Sequence, residues 1–381
     1  MSNVTKPIVL DESFTAFRNQ MNGIADDIHT ISIKMQPEFP LNSWGEFKTA
    51  IKHGYGLKLY PVGTDIQIGT DPLFTVVSHN SEKNPNDPTE PTCTLLAKKR
   101  ILSLQYDAPE AFYGSENGLD AGTYHFESTA DNQWKAVNYQ FTLTQPLPAG
   151  GQLCISGNQG TDMTSLKVRS YGEVGSSVMI EEVSISEGNG GTGLGKFGVG
   201  LNHIQRIGYG SNNYKESAMR QLLNSEALAG EVWLPQTKFD RPPTWAASQR
   251  GFLGTLSEDL RNALIAVDVG CRTNTVYEAP DSTCGGTSKQ YTVRDKIFLA
   301  SMQNIGFASE SVGEQTNLWD YYVGATDADR IKVDLGGTAG HWWLRSPNPS
   351  NAYYVRLVLT SGALGSLDAG YSFGVVPACV I

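Results

Sequence analysis

The final 41 residues restrict the possible folds more than any other stretch of the chain. They open with His341-Trp342-Trp343-Leu344-Arg345-Ser346-Pro347 and close with Gly374-Val375-Val376-Pro377-Ala378-Cys379-Val380-Ile381. A rigid aromatic start and an apolar, proline-pinned end enclose a middle rich in Asn, Ser, Tyr, Gly and Asp. Such a middle has the content of binding loops. Tyrosine offers a large amphipathic surface at low entropic cost, while Ser, Asn and Gly adapt their hydrogen bonds. A surface hairpin with ordinary turn residues has the same composition, so composition alone leaves both readings open.

Residues 11–36 carry the clearest periodicity. Phe14, Phe17, Met21, Ile24, Ile28, Ile31 and Met35 recur at alternating spacings of three and four, an a/d heptad seam. Isoleucine at both a and d positions favours three strands, so residues 1–40 are expected to form a trimeric coiled coil; one amphipathic helix packed on its own domain is the alternative. Asp11 or Ser13 caps the start, and Pro37 and Pro40 end it.

Residues 41–109 predict a helix over Trp44 to His53, then strands at Leu57–Tyr60, Asp65–Ile68 and Leu73–Ser78. Three prolines between Glu82 and Pro91 mark an exposed loop, and Thr94 to Tyr106 reads as one long buried strand. Residues 110–190 look like a separate all-β sandwich. Short alternating runs at Gly122–Phe126, Val137–Leu143, Gln152–Ser156, Ser165–Ser170 and Val178–Ser186 are separated by Gly and Pro turns. Residues 191–381 are mixed, with helices expected at Lys215–Ala229 and Glu258–Ala266. The fold class is therefore α+β.

With 381 residues, two or three domains are expected. A net charge of −10, with no basic cluster larger than Lys98-Lys99-Arg100, argues against nucleic acid as a partner, because duplex binding needs a basic stripe. Met1 to Lys6 is polar and does not read as a leader, and no apolar run reaches the length of a membrane span. The cysteines Cys93, Cys154, Cys271, Cys284 and Cys379 are scattered without a CxxC pair, which argues against zinc. Buried free thiols are expected, with a Cys271–Cys284 bridge as the alternative.

Catalytic patterns are sparse. Gly193-Leu194-Gly195-Lys196-Phe197-Gly198 formally fits a dinucleotide loop and nearly a phosphate loop, but Phe197 cannot hold magnesium and no helix is expected to follow. His341 beside two tryptophans reads as a packed residue, and Asp327 and Asp329 as a solvated turn without calcium-loop spacing. Glu181 and Glu182 alternate across a strand, so they cannot face each other as a glycosidase pair. No cofactor or metal is expected, and the chain reads as a non-enzyme.

The WWLRSP segment, the tyrosine- and asparagine-rich middle and the GVxPA ending resemble a domain family of unknown function found in phages and Firmicutes. Tyr60-Pro61-Val62-Gly63, Asn213 to Ser225, Gly251-Phe252-Leu253 and Asp295 to Leu299 resemble it in the same order, with the β module as an insertion. Relatives usually carry Arg at the position of Val376, so an internal ion pair or hydrogen bond is absent or replaced here.

The resemblance implies a C-type-lectin-like fold and a likeness to phage binding proteins diversified by retroelements. Adenine-directed mutagenesis would yield residues such as Asn348, Ser350, Asn351, Tyr353, Tyr354, Asp368, Ala369, Tyr371, Ser372 and Phe373. The expected ligand-binding set is Asn348, Ser350, Asn351, Tyr353, Tyr354, Arg356, Asp368, Tyr371, Ser372 and Phe373, with Trp342 to Arg345 holding the scaffold.

The implied protein is a homotrimeric virion component, assembled in the bacterial cytoplasm, that binds a host-surface glycan or protein. A decoration or assembly protein binding only other particle proteins is the alternative. A third class comes from copper oxidases that share the lectin-like fold. It would need a cysteine pair, for which Cys271 and Cys284 are the nearby candidates.

Overall fold

Two five-stranded sheets are tied together by strands that leave one sheet and enter the other. The computed structural model describes residues 22–25, 41–128, 138–156, 163–188, 196–199, 206–272, 290–310, 314, 316–350 and 352–381. Of the heptad segment, only 22–25 fall among these, as a helical turn; the rest of the expected coiled coil lies outside the described residues.

The first sheet contains β1 (Asp65–Ile66), β2 (Phe74–His79), β3 (Cys93–Ala97), β15 (Ile297–Leu299) and β20 (Pro377–Val380), in the order β1-β2-β3-β20-β15. The second contains β4 (Leu102–Gln105), β16 (Trp342–Pro347), β17 (Tyr354–Val358), β18 (Leu364–Asp368) and β19 (Ser372–Val375), in the order β18-β17-β16-β19-β4. β3 and β4 are consecutive in sequence yet lie in different sheets, and so are β19 and β20. β20 pairs with β3, and β19 with β4. The two crossings therefore run side by side and lock the sheets.

This corner divides the single strand expected over Thr94–Tyr106. Lys98-Lys99-Arg100 cannot be buried without partners. Lys98 bonds Asp65, and Arg100 Nη2 donates to the Thr338 carbonyl at 2.7 Å. Arg100 also packs against Gly340 and Gly374, where a β-carbon would meet its side chain at 2.5 and 2.3 Å. Val376, where the sequence departs from its relatives, is fully buried in this apolar core and needs no ionic partner.

Trp44–Lys52 is a helix because Ser43 caps it: its hydroxyl accepts from the Glu46 amide at 3.0 Å. Asp259 accepts from the Trp44 amide at 2.6 Å, a favourable charge at the positive helix end. Trp44, Phe47 and Ile51 bury one face. The predicted strand at Leu57–Tyr60 is instead a short helix, Gly56–Leu59, since Tyr55 carbonyl bonds keep the chain winding after Gly54. The other two expected helices are present but shorter, Ala218–Leu223 and Glu258–Ala263.

Each buried tryptophan of the framework also satisfies its indole N–H. Trp44 donates to Asp71 (2.8 Å), Trp319 to Glu82 (2.8 Å), Trp342 to the Arg330 carbonyl (3.0 Å) and Trp343 to the Leu104 carbonyl (3.0 Å).

A second core lies between β4 and the helix Ala218–Leu223. One sheet contains β5 (Tyr113–Gly114), β8 (Gln152–Ser156), β9 (Lys167–Tyr171) and β10 (Met179–Ser184). The other contains β6 (Gly122–Ser128), β7 (Asn138–Leu143), β11 (Ser186–Glu187) and β12 (Lys196–Val199). Tyr124, Phe141 and Leu143 from one sheet and Leu153 and Val168 from the other share one apolar cluster with Phe112 and Ile207. β12 pairs parallel with β6, so the glycine-rich motif leads into a strand and offers no helix end for a phosphate. β13 (Val267–Arg272) and β14 (Gln290–Asp295) pair antiparallel as a two-stranded ribbon.

Candidate functional site

The expected binding residues that are described sit on β17 to β19 and the turns flanking them, and most are already bonded within the subunit. Tyr354 on β17 lies directly opposite Asp368 on β18, and Arg356 opposite Ser366. In such antiparallel pairs the two side chains share a face and meet. The turn after β18 then gathers the neighbours. The Ala369 amide donates to the Tyr353 carbonyl (3.0 Å), Gly370 to the Tyr209 carbonyl (2.7 Å) and Tyr371 to the Asp368 carbonyl (3.0 Å).

The result is a tyrosine cluster. Tyr209 stacks on Tyr353 with centroids 4.6 Å apart, and Tyr353 lies against Tyr354 at 4.2 Å. Tyr371 is 53% exposed, with Phe373 at 6.1 Å. Tyr353, expected to face a ligand, is only 9% exposed and acts as the floor beneath Tyr209 and Tyr354. Burial, followed by its hydrogen bond with Tyr354, pushes its phenol upward. Burial alone raises the Asp368 carboxyl to about 6.

Arg356 also departs from the expectation. Its guanidinium is held by Glu310, with Nε to Oε2 at 3.0 Å, and donates to Ser366 Oγ at 2.5 Å. Glu310 simultaneously accepts from Arg272 Nη2 at 3.0 Å, so the carboxylate bridges two arginines. A guanidinium held this way supports the surface and is not free for a ligand. Asn348 donates to Ser366 Oγ (3.1 Å) and accepts from the Ser350 amide (2.8 Å). Ser350 and Ser372 are exposed; Phe373 is half-buried, with Trp343 at 5.0 Å and His341 at 5.2 Å. Asn351 lies outside the described residues.

The loop between β16 and β17 is clamped from behind by Asn212. Its amide donates to the Ala352 carbonyl (3.0 Å) and its side chain to the Tyr354 carbonyl (3.0 Å). Asn212 and Tyr209 were not singled out by sequence reasoning. The Gly208-Tyr209-Gly210-Ser211-Asn212 run is the available signal: Gly210 takes φ 85°, where a side chain is strained, and a β-carbon there would lie a tight 3.2 Å from Asp107, Ala108 and Ala369.

Trp342 to Ser346 are buried throughout. Arg345, 2% exposed, donates Nε to the Gly270 carbonyl (2.8 Å) and Nη1 to the Leu299 carbonyl (2.5 Å) and Asn304 Oδ1 (2.9 Å). It fastens β16 to β13 and β15.

Residues 196–381 match the model of a domain of unknown function, DUF6273. No curated protein and no solved structure matches the chain. The DUF6273 match starts at β12 and contains β13 to β20, yet β19 and β20 pair with β4 and β3, which precede it. The folded framework is thus wider than the matched segment.

Among the described residues, no group of three His, Cys, Asp or Glu side chains could hold a metal, and no helix is long and apolar enough to cross a membrane. Cys93, Cys154, Cys271 and Cys379 are free and buried. Burial pushes the Cys271 thiol up to about 12, which leaves it protonated and unreactive near neutral pH. Cys284 lies outside the described residues. Glu181 and Glu182 diverge: Glu181 accepts from Thr144 and Gln145, while Glu182 pairs with Lys167 and Arg169. His341 Nδ1 accepts from the Thr360 amide at 2.9 Å, a packed arrangement.

Proposed function

We propose that the chain is a non-enzymatic binding protein whose recognition surface is the tyrosine cluster around the β18–β19 turn. Tyr209, Tyr354 and Tyr371, with Asp368, are the contact residues, and Tyr353 supports them. The observation that carries this reading is the stacking of Tyr209, Tyr353 and Tyr354 on a sheet whose adjoining loop is fixed by Asn212. Aromatic rings held in advance lose little entropy on binding, and they stack on the C–H face of a sugar or pack against an apolar protein side chain.

The setting follows from the family resemblance and the heptad seam. In this reading the chain is a trimeric phage component with a C-type-lectin-like domain, assembled in a bacterial cytoplasm. It binds a host-surface glycan or protein, and retroelement-driven diversification alters the exposed positions. Three copies would multiply a weak contact through effective concentration. Of the positions expected to vary, Ser350, Tyr371 and Ser372 are exposed and suit this role, whereas Tyr353 and Ala369 are buried and belong to the support.

Adhesion of the full chain to host cells, compared with Tyr354→Ala and Tyr371→Ala, tests the site. Losing a central aromatic contact should weaken binding by about tenfold or more. Unchanged adhesion in both variants would reject the assignment.

A second reading has its own support. Segment 318–335 leaves Leu318, Tyr321, Val323, Ile331 and Leu335 exposed. Apolar exposure of this kind suits contact with another particle protein. Decoration or assembly would then be the role, and adhesion to cells would be absent from the unmodified chain.

A further inference from the structure

The run Arg206–Asn212 carries Tyr209 to the tyrosine cluster, and acid groups fasten it from below. The Gly210 amide donates to the Arg206 carbonyl at 2.9 Å, and the Glu110 amide donates to the same carbonyl at 3.2 Å. The Ser211 amide donates to Asp107 Oδ2 at 3.1 Å. Tyr209 then stacks on Tyr353, and its carbonyl accepts from the Gly370 amide at 2.7 Å. A change at Asp107 or Glu110 therefore reaches the cluster through a short run of chain.

These acids are crowded. Glu110, 3% exposed, accepts at Oε1 from Arg206 Nε (2.9 Å) and Nη2 (2.5 Å). Arg206 Nη2 also reaches Glu216 Oε2 at 3.5 Å, and Lys215 beside it is exposed. Asp107 is buried and held by backbone amides, those of Ser211 and, at 3.3 Å, Ala218. Asp240 approaches from another segment, where it accepts from the Gln236 and Thr237 amides and the Thr237 hydroxyl. In that segment Lys238 Nζ lies over the Phe239 ring at 5.1 Å. On the module side, Glu110 shares a cleft of about 290 Å³ with Cys154, Arg169, Tyr171 and Arg241. Arg169 is paired with Glu182, while Arg241 lies 3.8 Å over the Tyr171 ring and donates to Gln152 Oε1 at 3.1 Å. Burial pushes the Cys154 thiol up to about 12, so it does not titrate near neutral pH.

Two effects oppose each other at this joint. Ionising Glu110 strengthens its bond to Arg206. It also adds a charge beside Asp107 and Asp240 where little water can screen it. The Arg206 guanidinium, shared among Glu110, Glu216 and Asp240, cannot neutralise all of them. Desolvation and repulsion win. Burial raises Glu110 to about 7 in spite of Arg206, with Asp240 adding to the rise. Burial, then Asp240 and Glu110, hold Asp107 well above its usual range. Both shifts have the same sign, so the closed joint keeps protons that an opened one releases. Its stability is full below the ordinary carboxylate range, about 4. That stability is lost as pH rises through about 7.

We propose that Asp107 and Glu110 are positioning residues for the tyrosine surface: protonated, they seat the Arg206–Asn212 run that carries Tyr209, and as they ionise that run loosens. Its bearing on ligand binding rests on the tyrosine-surface reading; the seating itself does not.

Hydrogen exchange at the Gly210 and Ser211 amides of the full chain, converted to an opening constant at each pH, tests the seating without any ligand. Opening should rise by about tenfold or more from about pH 5.5 to about pH 8. In Asp107→Asn/Glu110→Gln, which keeps the shapes and a bond to Arg206, the same interval should change opening by no more than about twofold. If that variant does not fold, Glu110→Gln alone carries the comparison and should cut the rise by about half or more. The Leu119 and Leu147 amides, bonded to each other's carbonyls at 2.8 Å within the module, should not follow pH. Opening that stays level or falls with pH, a rise shared by Leu119 and Leu147, or a rise undiminished in the variants would each overturn the proposal. Such a failure leaves the adhesion test of Tyr354→Ala and Tyr371→Ala where it stands, and unchanged adhesion there leaves the seating intact.

Discussion

The two cores of this molecule solve burial differently. The core of the inserted module is apolar; apart from the buried Glu110–Arg206 pair at its stems, the charges considered stay outside: Glu182 with Lys167 and Arg169, Glu181 on backbone amides beyond β7. The framework instead buries Arg345, Arg272, Arg330, Lys332, Asp295 and Glu314 beside its tryptophans. An apolar core gives stability that is indifferent to detail, whereas a buried charge demands particular partners and so specifies one arrangement. The framework that carries the proposed binding surface is therefore the part that tolerates least change inside.

The sharpest way to break this contrast is Arg345→Met. It strands the Gly270 and Leu299 carbonyls and Asn304, and should cost about 3–5 kcal/mol in urea unfolding. A midpoint close to that of the unmodified chain would mean that the site tolerates an apolar replacement, as some buried ion pairs do. Leu153→Ala should destabilise the module by about 3 kcal/mol while the framework transition keeps its midpoint. One joint transition shifted as a whole would show that the two cores unfold together.

Ser43→Ala removes a helix cap at the framework edge and should cost about 1 kcal/mol, far less than either core change. The smallest effect concerns Asp368. Its folded carboxyl titrates at about 6, above the ordinary 3.8, so the folded state takes up a proton more readily than the unfolded one. Its contribution should therefore destabilise above pH 6 and relax as pH falls from 6 towards 4. Asp368→Asn should flatten that part of a stability–pH profile; an unaltered slope would place the titration elsewhere.

The module was the more legible region in sequence. Its strands follow two-residue alternation between glycine and proline turns, and β6, β7, β8 and β9 lie within a few residues of the expected runs. The framework was harder because its pairing is non-local. Nothing in Thr94–Tyr106 announces that residues 98–101 turn a corner between sheets, since the cause is Asp65, Thr338 and Gly374, far away in sequence. Gly56–Leu59 alternates well enough for a strand but lacks a neighbour to pair with, and it coils.

The site was legible in composition but not in role. The segment 348–373 mixes exposed residues such as Tyr371 and Ser372 with buried ones such as Val355, Leu357 and Ala369, and whether a side chain is outward or already engaged depends on partners such as Glu310, Tyr209 and Asn212, which periodicity cannot supply.

The chain enters and leaves the module at one place, where the Glu110 amide donates to the Arg206 carbonyl at 3.2 Å. Beyond this pair of stems the framework touches the module along residues 238–241, where Gln152 donates to the Lys238 carbonyl at 2.7 Å and Arg241 to the Ser176 carbonyl at 2.8 Å. Because each doubling of an insert's length adds only about 0.6 kcal/mol of closure entropy, cassettes of quite different size could occupy this port. Swapping the cassette would re-equip the molecule with a new accessory head while the tyrosine-bearing face stayed as it is.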